Sequence, residues 1–243
     1  MQRYFVYLSF DGLAYHGWQI QPNADSVQEQ LQKALSTILR QPIVIVGAGR
    51  TDSGVHARLR VAHFDLDGEI DTGLFVFRLN RLLPRDISIE KIVPVDSNMH
   101  ARFSAKWRTY HYYVHLRKDP FRRFYSCQLH ERLDFHLMNE AACHLLSVKD
   151  FGAFCKTHTD VKTTLCDVIQ AEWVQIDSDT WFFAIIANRF LRNMVRAVVG
   201  TLIEVGRHRM TLQQFDTVIQ NGSRSEAGES MPANALFLED IEY

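Results

Sequence analysis

The stretch GAGRTDSGVHA (residues 47–57) sets an arginine, Arg50, and a carboxylate, Asp52, between glycines, directly after the apolar run IVIV at 43–46. A carboxylate in such a loop can act as nucleophile or general base, or it can simply cap a tight turn. A dinucleotide-binding fingerprint does not fit. That motif needs glycine at its sixth position, where helix packs on strand, and Asp52 stands there instead. Nor does a long amphipathic helix follow, because Gly54 comes two residues later and a strand pattern begins near Leu59.

Two clusters of cations form the second chemical feature. The formal net charge is -1, so any surface for a polyanion has to be local. Residues 101–123 carry seven Lys/Arg against one acid, Asp119, interleaved with Trp107, Tyr110, Tyr112 and Tyr113. Residues 189–209 carry five arginines, Arg192 and Arg196 among them, against Glu204. Cations beside aromatic faces suit single-stranded or flipped nucleobases. Solvated charged surface is the alternative for either run.

Other combinations carry less. His111 and His115 share a strand face, but no third ligand is evident, so no metal site is expected. Asp150-Phe151-Gly152 spells DFG without the glycine loop or catalytic HRD of a kinase. Cys127, Cys143, Cys155 and Cys166 form no CxxC pair and read as reduced thiols of a cytoplasmic protein. No apolar run is long enough for a signal peptide or a membrane span.

The elements that must position these residues follow the same order twice. Strands are expected at 3–10, 43–46, 59–66 and 86–95. Helices are expected after Ser26, which faces Glu29 as a capping box, and at 72–83. That is β-α-β-β-α-β, the ferredoxin-like order. The second half repeats it with strands at 106–116, 164–176, 180–190 and 235–243, the middle two joined as a hairpin across Asp177-Ser178-Asp179. Its helices are expected at 134–147 and 191–206, with an extra one at 211–220. The fold class is therefore α+β: two ferredoxin-like halves, residues 1–104 and 105–243, with antiparallel sheets forming a central cleft.

The segment GRTDSGVHA resembles the GRTDxGVHA segment of the TruA-type tRNA pseudouridine synthases. Four further segments are similar to that family in the same order: FDGLAYHGWQIQP (10–22), LNRLLPRDI (79–87), ARFSAKWRTYHYYV (101–114) and FLRNMVRAVVGTLIEVG (190–206). Ala235-Leu236 departs from the family's Gly-Leu, and Arg192 stands where His is common. The resemblance implies conversion of uridine to pseudouridine in the anticodon stem-loop of tRNA, at positions 38 to 40, without metal or cofactor. It implies a cytoplasmic homodimer binding one tRNA across two subunits.

It also implies roles. Asp52 is the catalytic carboxylate, and Arg196 is the cation that pairs with it. Tyr110 stacks on the flipped uracil and is a candidate for the C5 proton. Arg50 contacts the target nucleotide. Arg192, four residues before Arg196, is expected on the same helical face, adding charge along the tRNA path. Phe151 and Phe154 match a family segment and are expected in the core. The rival from another class is a non-catalytic RNA-binding protein with two RRM-like halves, but neither half carries the aromatic RNP pattern.

Overall fold

In the computed structural model, which describes residues 1–156, 162–221 and 223–243, the chain is α+β with almost wholly antiparallel pairing. In chain order the elements are β1 (Gln2–Phe10), α1 (Val27–Leu39), β2 (Val46–Gly47), β3 (His56–Leu66), α2 (Thr72–Leu82) and β4 (Ile87–Val95). There follow β5 (Trp107–His115), β6 (Cys127–Gln128), α3 (Phe135–His144), β7 (Val168–Asp177), β8 (Thr180–Ala187), α4 (Met194–Gly206), α5 (Leu212–Asn221) and β9 (Leu236–Glu242). Two compact units result: Met1–Lys106 with Leu238–Tyr243, and Trp107–Phe237.

In the first unit β1 lies between β3 and β4, antiparallel to both, and β2 pairs antiparallel with β3. Helix α1 buries Val27, Leu31, Ala34 and Leu35, the stripe a 3.6-residue period produces. Ser26 caps it by accepting from Glu29 N at 3.3 Å; the Glu29 carboxylate turns outward to Lys33 at 2.8 Å, so the capping box is only half made. Helix α2 is capped by Asp71 and stops at Leu83, ahead of Pro84.

The apolar run 43–46 does not become the strand that its residues predict. Only Val46–Gly47 pairs with β3. Side chains of α1 take the rest: Ser36 Oγ accepts from Ile43 N at 2.9 Å and Gln32 Oε1 accepts from Ile45 N at 3.1 Å. Gln28 Nε2 donates to Ile45 O at 3.0 Å. Backbone groups already satisfied in this way have no ladder left to join.

The last six residues group with the first unit, whereas the sequence assigns them with the second half. Lys106 N donates to Glu242 O at 2.7 Å, Tyr243 OH donates to Ala101 O at 2.7 Å, and Tyr243 packs on Phe5 with ring centroids 5.0 Å apart.

In the second unit β8 lies between β5 and β7, antiparallel to both, with β6 parallel to β5. The β7–β8 hairpin turns at Ser178-Asp179, where Asp177 Oδ1 accepts from Asp179 N at 2.9 Å. Helix α4 is apolar nearly all round and is buried accordingly, packed by α3, α5 and β5. Phe151 and Phe154 are fully buried, with ring centroids 6.2 Å apart. All four cysteines are free thiols.

Candidate functional site

Asp52 lies in the loop that leads into β3, half-buried, and its backbone is held from several sides. Its carbonyl accepts from Val55 N at 3.2 Å, closing a turn in which Gly54 takes φ +78°, a conformation that glycine adopts without cost. The loop at 11–18 supplies the other anchors. Trp18 N donates to Thr51 O at 3.3 Å, while Tyr15 O accepts from Gly54 N and from Ser53 Oγ, each at 3.3 Å. Gly12 N donates to Nδ1 of the buried His56 at 3.0 Å.

This approach is close because two residues lack side chains. A Cβ on Gly12 would run into Val55 O, and one on Gly17, at φ +93°, would run into Thr51 O. Beneath the loop Trp18 is buried, with the guanidinium of buried Arg60 over its ring at 4.4 Å. Arg60 Nη2 donates to Gly49 O and so ties the glycine turn to β3. Tyr15 is buried too, its OH donating to Asp86 Oδ1 at 2.7 Å; burial, then the neighbouring carboxylate, pushes its phenol upward. Arg50 is exposed, and among the described residues no acid pairs with it.

The second unit carries Tyr110, Arg192 and Arg196. Tyr110 is opposite Ile185 in the β5–β8 ladder and meets Phe190 edge-on, centroids 5.0 Å apart at 80°. Strand alternation groups it with Tyr112 and Val114. Those two are fully buried, and Tyr110 keeps a partly open face.

Arg196 is in the first turn of α4, partly buried, with Nε donating to Met231 O at 2.5 Å. Arg192 is exposed and is not on that helix. The shared helical face fails because Asn193 takes a left-handed conformation, φ 68°, so that α4 begins only at Met194. Arg192 instead presents its carbonyl to Lys156 N at 3.1 Å.

The remaining cations divide into tied and open. Arg108 donates to Asn188 O at 2.5 Å, Arg122 pairs with Asp119 and Asp177 at 3.1 Å each, and Arg207 pairs with Glu131 and Glu204 at 2.7 Å each. Lys118 is exposed with no such partner among the described residues. His115 is buried against Ser126 Oγ at 2.9 Å, and His111 packs on Phe182; among the described residues no three His, Cys, Asp or Glu cluster as a metal site. Two surface recesses, of about 340 and 320 Å³, are lined by none of Arg50, Asp52, Tyr110, Arg192 or Arg196. No helix among the described residues is long and apolar enough to cross a membrane.

Pattern reading of the sequence passed over the residues that hold the candidates in place: Gly12, Gly17 and His56 around Asp52, and the segment 227–232 around Arg196. Gly12 and Gly17 carry a visible signal, two glycines flanking aromatic residues. His56 lies within the GRTDSGVHA segment itself, and residues 227–232 carry no local signal.

Known proteins are similar to this chain along its length. The sequence model of one family, described as tRNA pseudouridine synthase, matches residues 7–104 and 141–243. A protein of Bacteroides fragilis named tRNA pseudouridine synthase A is 55% identical over 244 residues, covering 100% of this chain and 97% of its own. Its namesake in Parabacteroides distasonis is 53% identical, covering 100% and 96%. One from Bacillus licheniformis is 37% identical, covering 97% of each chain.

Proposed function

The chain belongs to the tRNA pseudouridine synthase family, and from that premise we propose that it isomerises uridines of the tRNA anticodon stem-loop, at positions 38 to 40, with Asp52 as the catalytic carboxylate. The observation that carries the assignment is the Asp52 loop. It holds a half-buried carboxylate on a backbone anchored through Gly12, Tyr15, Trp18 and His56, a rigidity that capping one turn would not require.

Pseudouridine formation breaks the N1–C1′ bond, turns the uracil and rejoins it through C5, with no net redox change. In this reading Asp52 supplies the nucleophile and holds the fragments while the base turns. Arg196 is the cation assigned to pair with that carboxylate. Tyr110 stacks on the uracil, and its hydroxyl is the group offered to the C5 proton. Arg50 and Arg192, both exposed, meet the phosphates of the target strand. No metal or organic cofactor enters this scheme.

We read each half as ferredoxin-like. The β-α-β-β-α-β order of the first unit and its strand sequence β4-β1-β3-β2 support this. A cytoplasmic homodimer completes the proposal. The test is to map pseudouridine in tRNA from cells lacking this protein. Loss confined to positions 38 to 40, restored by the wild-type gene, is the expected result. Intact modification there, with loss elsewhere, would reassign the substrate site.

A further inference from the structure

Residues 227–232 (AGESMP) lie along the first two turns of α4, bonded to it at four points. Gly228 N donates to Thr201 Oγ1 at 2.9 Å, and that hydroxyl donates to Ala197 O at 2.8 Å. Met231 N donates to Arg196 O at 3.2 Å, and Arg196 Nε returns a bond to Met231 O at 2.5 Å. Asn193 Nδ2, from the residue that starts the helix, donates to Ser230 Oγ at 2.6 Å.

The segment is also held from behind. Arg224 Nη2 donates to the same Ser230 Oγ at 2.6 Å, and Arg224 Nη1 reaches Gly228 O at 3.0 Å. Tyr112, fully buried on β5, donates its hydroxyl to Pro232 O at 3.0 Å. Two glycines permit the contact. A Cβ on Gly200 would strike Glu229 O, and one on Gly228 would strike the backbone of Gly200.

A guanidinium has five N–H donors in one plane. Spending Nε on a carbonyl that is itself fixed leaves the plane of the fork fixed as well. A lone exposed arginine at a helix start samples many rotamers, and a 1 Å error at a reacting group can cost about a hundredfold in rate.

We propose that this strap sets the orientation of Arg196. Ser230, Arg224 and Asn193 act as positioning residues for the isomerisation, with Gly200 as the seat that lets the strap lie close. The inference rests on the role assigned above to Arg196.

The experiment measures kcat, KM, tRNA affinity and melting temperature in Ser230→Ala, Ser230→Thr and Gly200→Ala, with Arg196→Gln alongside. Ser230→Ala removes the acceptor shared by Asn193 and Arg224. Gly200→Ala pushes the strap off while giving the helix a better helix former. In both, kcat should fall about ten- to a hundredfold with tRNA affinity within about twofold. Ser230→Thr, which keeps the hydroxyl, should restore turnover.

A structural role alone would lower melting temperature while leaving kcat of the folded enzyme unchanged, and that result overturns the proposal. Should Gly200→Ala fail to fold, Ser230→Ala still decides. If Arg196→Gln retains wild-type turnover, the assignment of Arg196 is itself wrong. If Arg196→Gln is inactive while the strap variants match wild type, only the strap's role falls.

Discussion

The Asp52 loop and the start of α4 both close up on glycines, but they hold their charged groups by different means. Around Asp52 the anchors all hold the backbone, three of them backbone to backbone, and they close up because Gly12 and Gly17 have no Cβ. Around Arg196 the anchors run from side chain to carbonyl or hydroxyl: Arg196 to Met231, Asn193 and Arg224 to Ser230, Tyr112 to Pro232. The first arrangement fails when an atom is added; the second fails in that way too, at Gly200, and also when a polar atom is removed. A short carboxylate has little reach, so its backbone must be placed accurately. A long guanidinium side chain needs its own rotamer held.

The largest effect is expected from Asp52→Asn. Amide and carboxylate are nearly isosteric, so a loop held by its backbone should keep its shape. Turnover should drop to background while tRNA still binds, as read by pseudouridine formation and gel shift on one preparation with an unchanged circular dichroism spectrum. Near wild-type turnover in a folded, tRNA-binding variant would remove Asp52 from the chemistry. Loss of binding without unfolding would mean that the carboxylate organises the RNA site as well.

A pair of glycine variants sharpens the comparison at a smaller scale. Gly17 and Gly68 have nearly equal φ, +93° and +92°, but a Cβ on Gly17 meets Thr51 O and one on Gly68 meets nothing within 4 Å. Both alanine variants carry the left-handed strain of about 1–2 kcal/mol. Only Gly17→Ala should add a clash and displace the Asp52 backbone, lowering kcat about tenfold or more. Equal turnover in the two, measured beside urea unfolding, would show that the close approach of the 11–18 loop does not set the carboxylate.

The smallest effect concerns the frame of the first unit. His63 is buried in β3 with Nδ1 accepting from Ala101 N at 3.1 Å. Burial first, then Arg3 and the ring of His100, bring its pKa down to about 4. In the unfolded chain it takes a proton near 6.5. Between those values the unfolded state binds more protons, so stability present above about pH 6.5 is lost as pH falls toward 4. The urea midpoint should decline across that window, and more shallowly in His63→Gln. An equal decline in both would place the acid sensitivity elsewhere.

Much of this protein is local, and the sequence by itself determined it. Helical and strand periods place α1, α2, β5, β7 and β8 close to their observed bounds, because side-chain alternation depends only on which face is buried. The candidate residues are legible only through the resemblance of GRTDSGVHA and FLRNMVRAVVGTLIEVG to the family's segments. Tertiary structure decided the remainder. The run 43–46 has strand composition, yet Gln28, Gln32 and Ser36 of α1 claim its backbone. Arg192 has helical spacing to Arg196, yet a left-handed Asn193, its amide held by Ser230, moves the helix start past it. The last six residues pack with the first unit through Ala101, Lys106 and Phe5. In each case a hydrogen-bonding group has two possible partners of similar local merit. The choice falls to whichever segment the folded chain brings within hydrogen-bonding reach, and residue types alone do not say which that is.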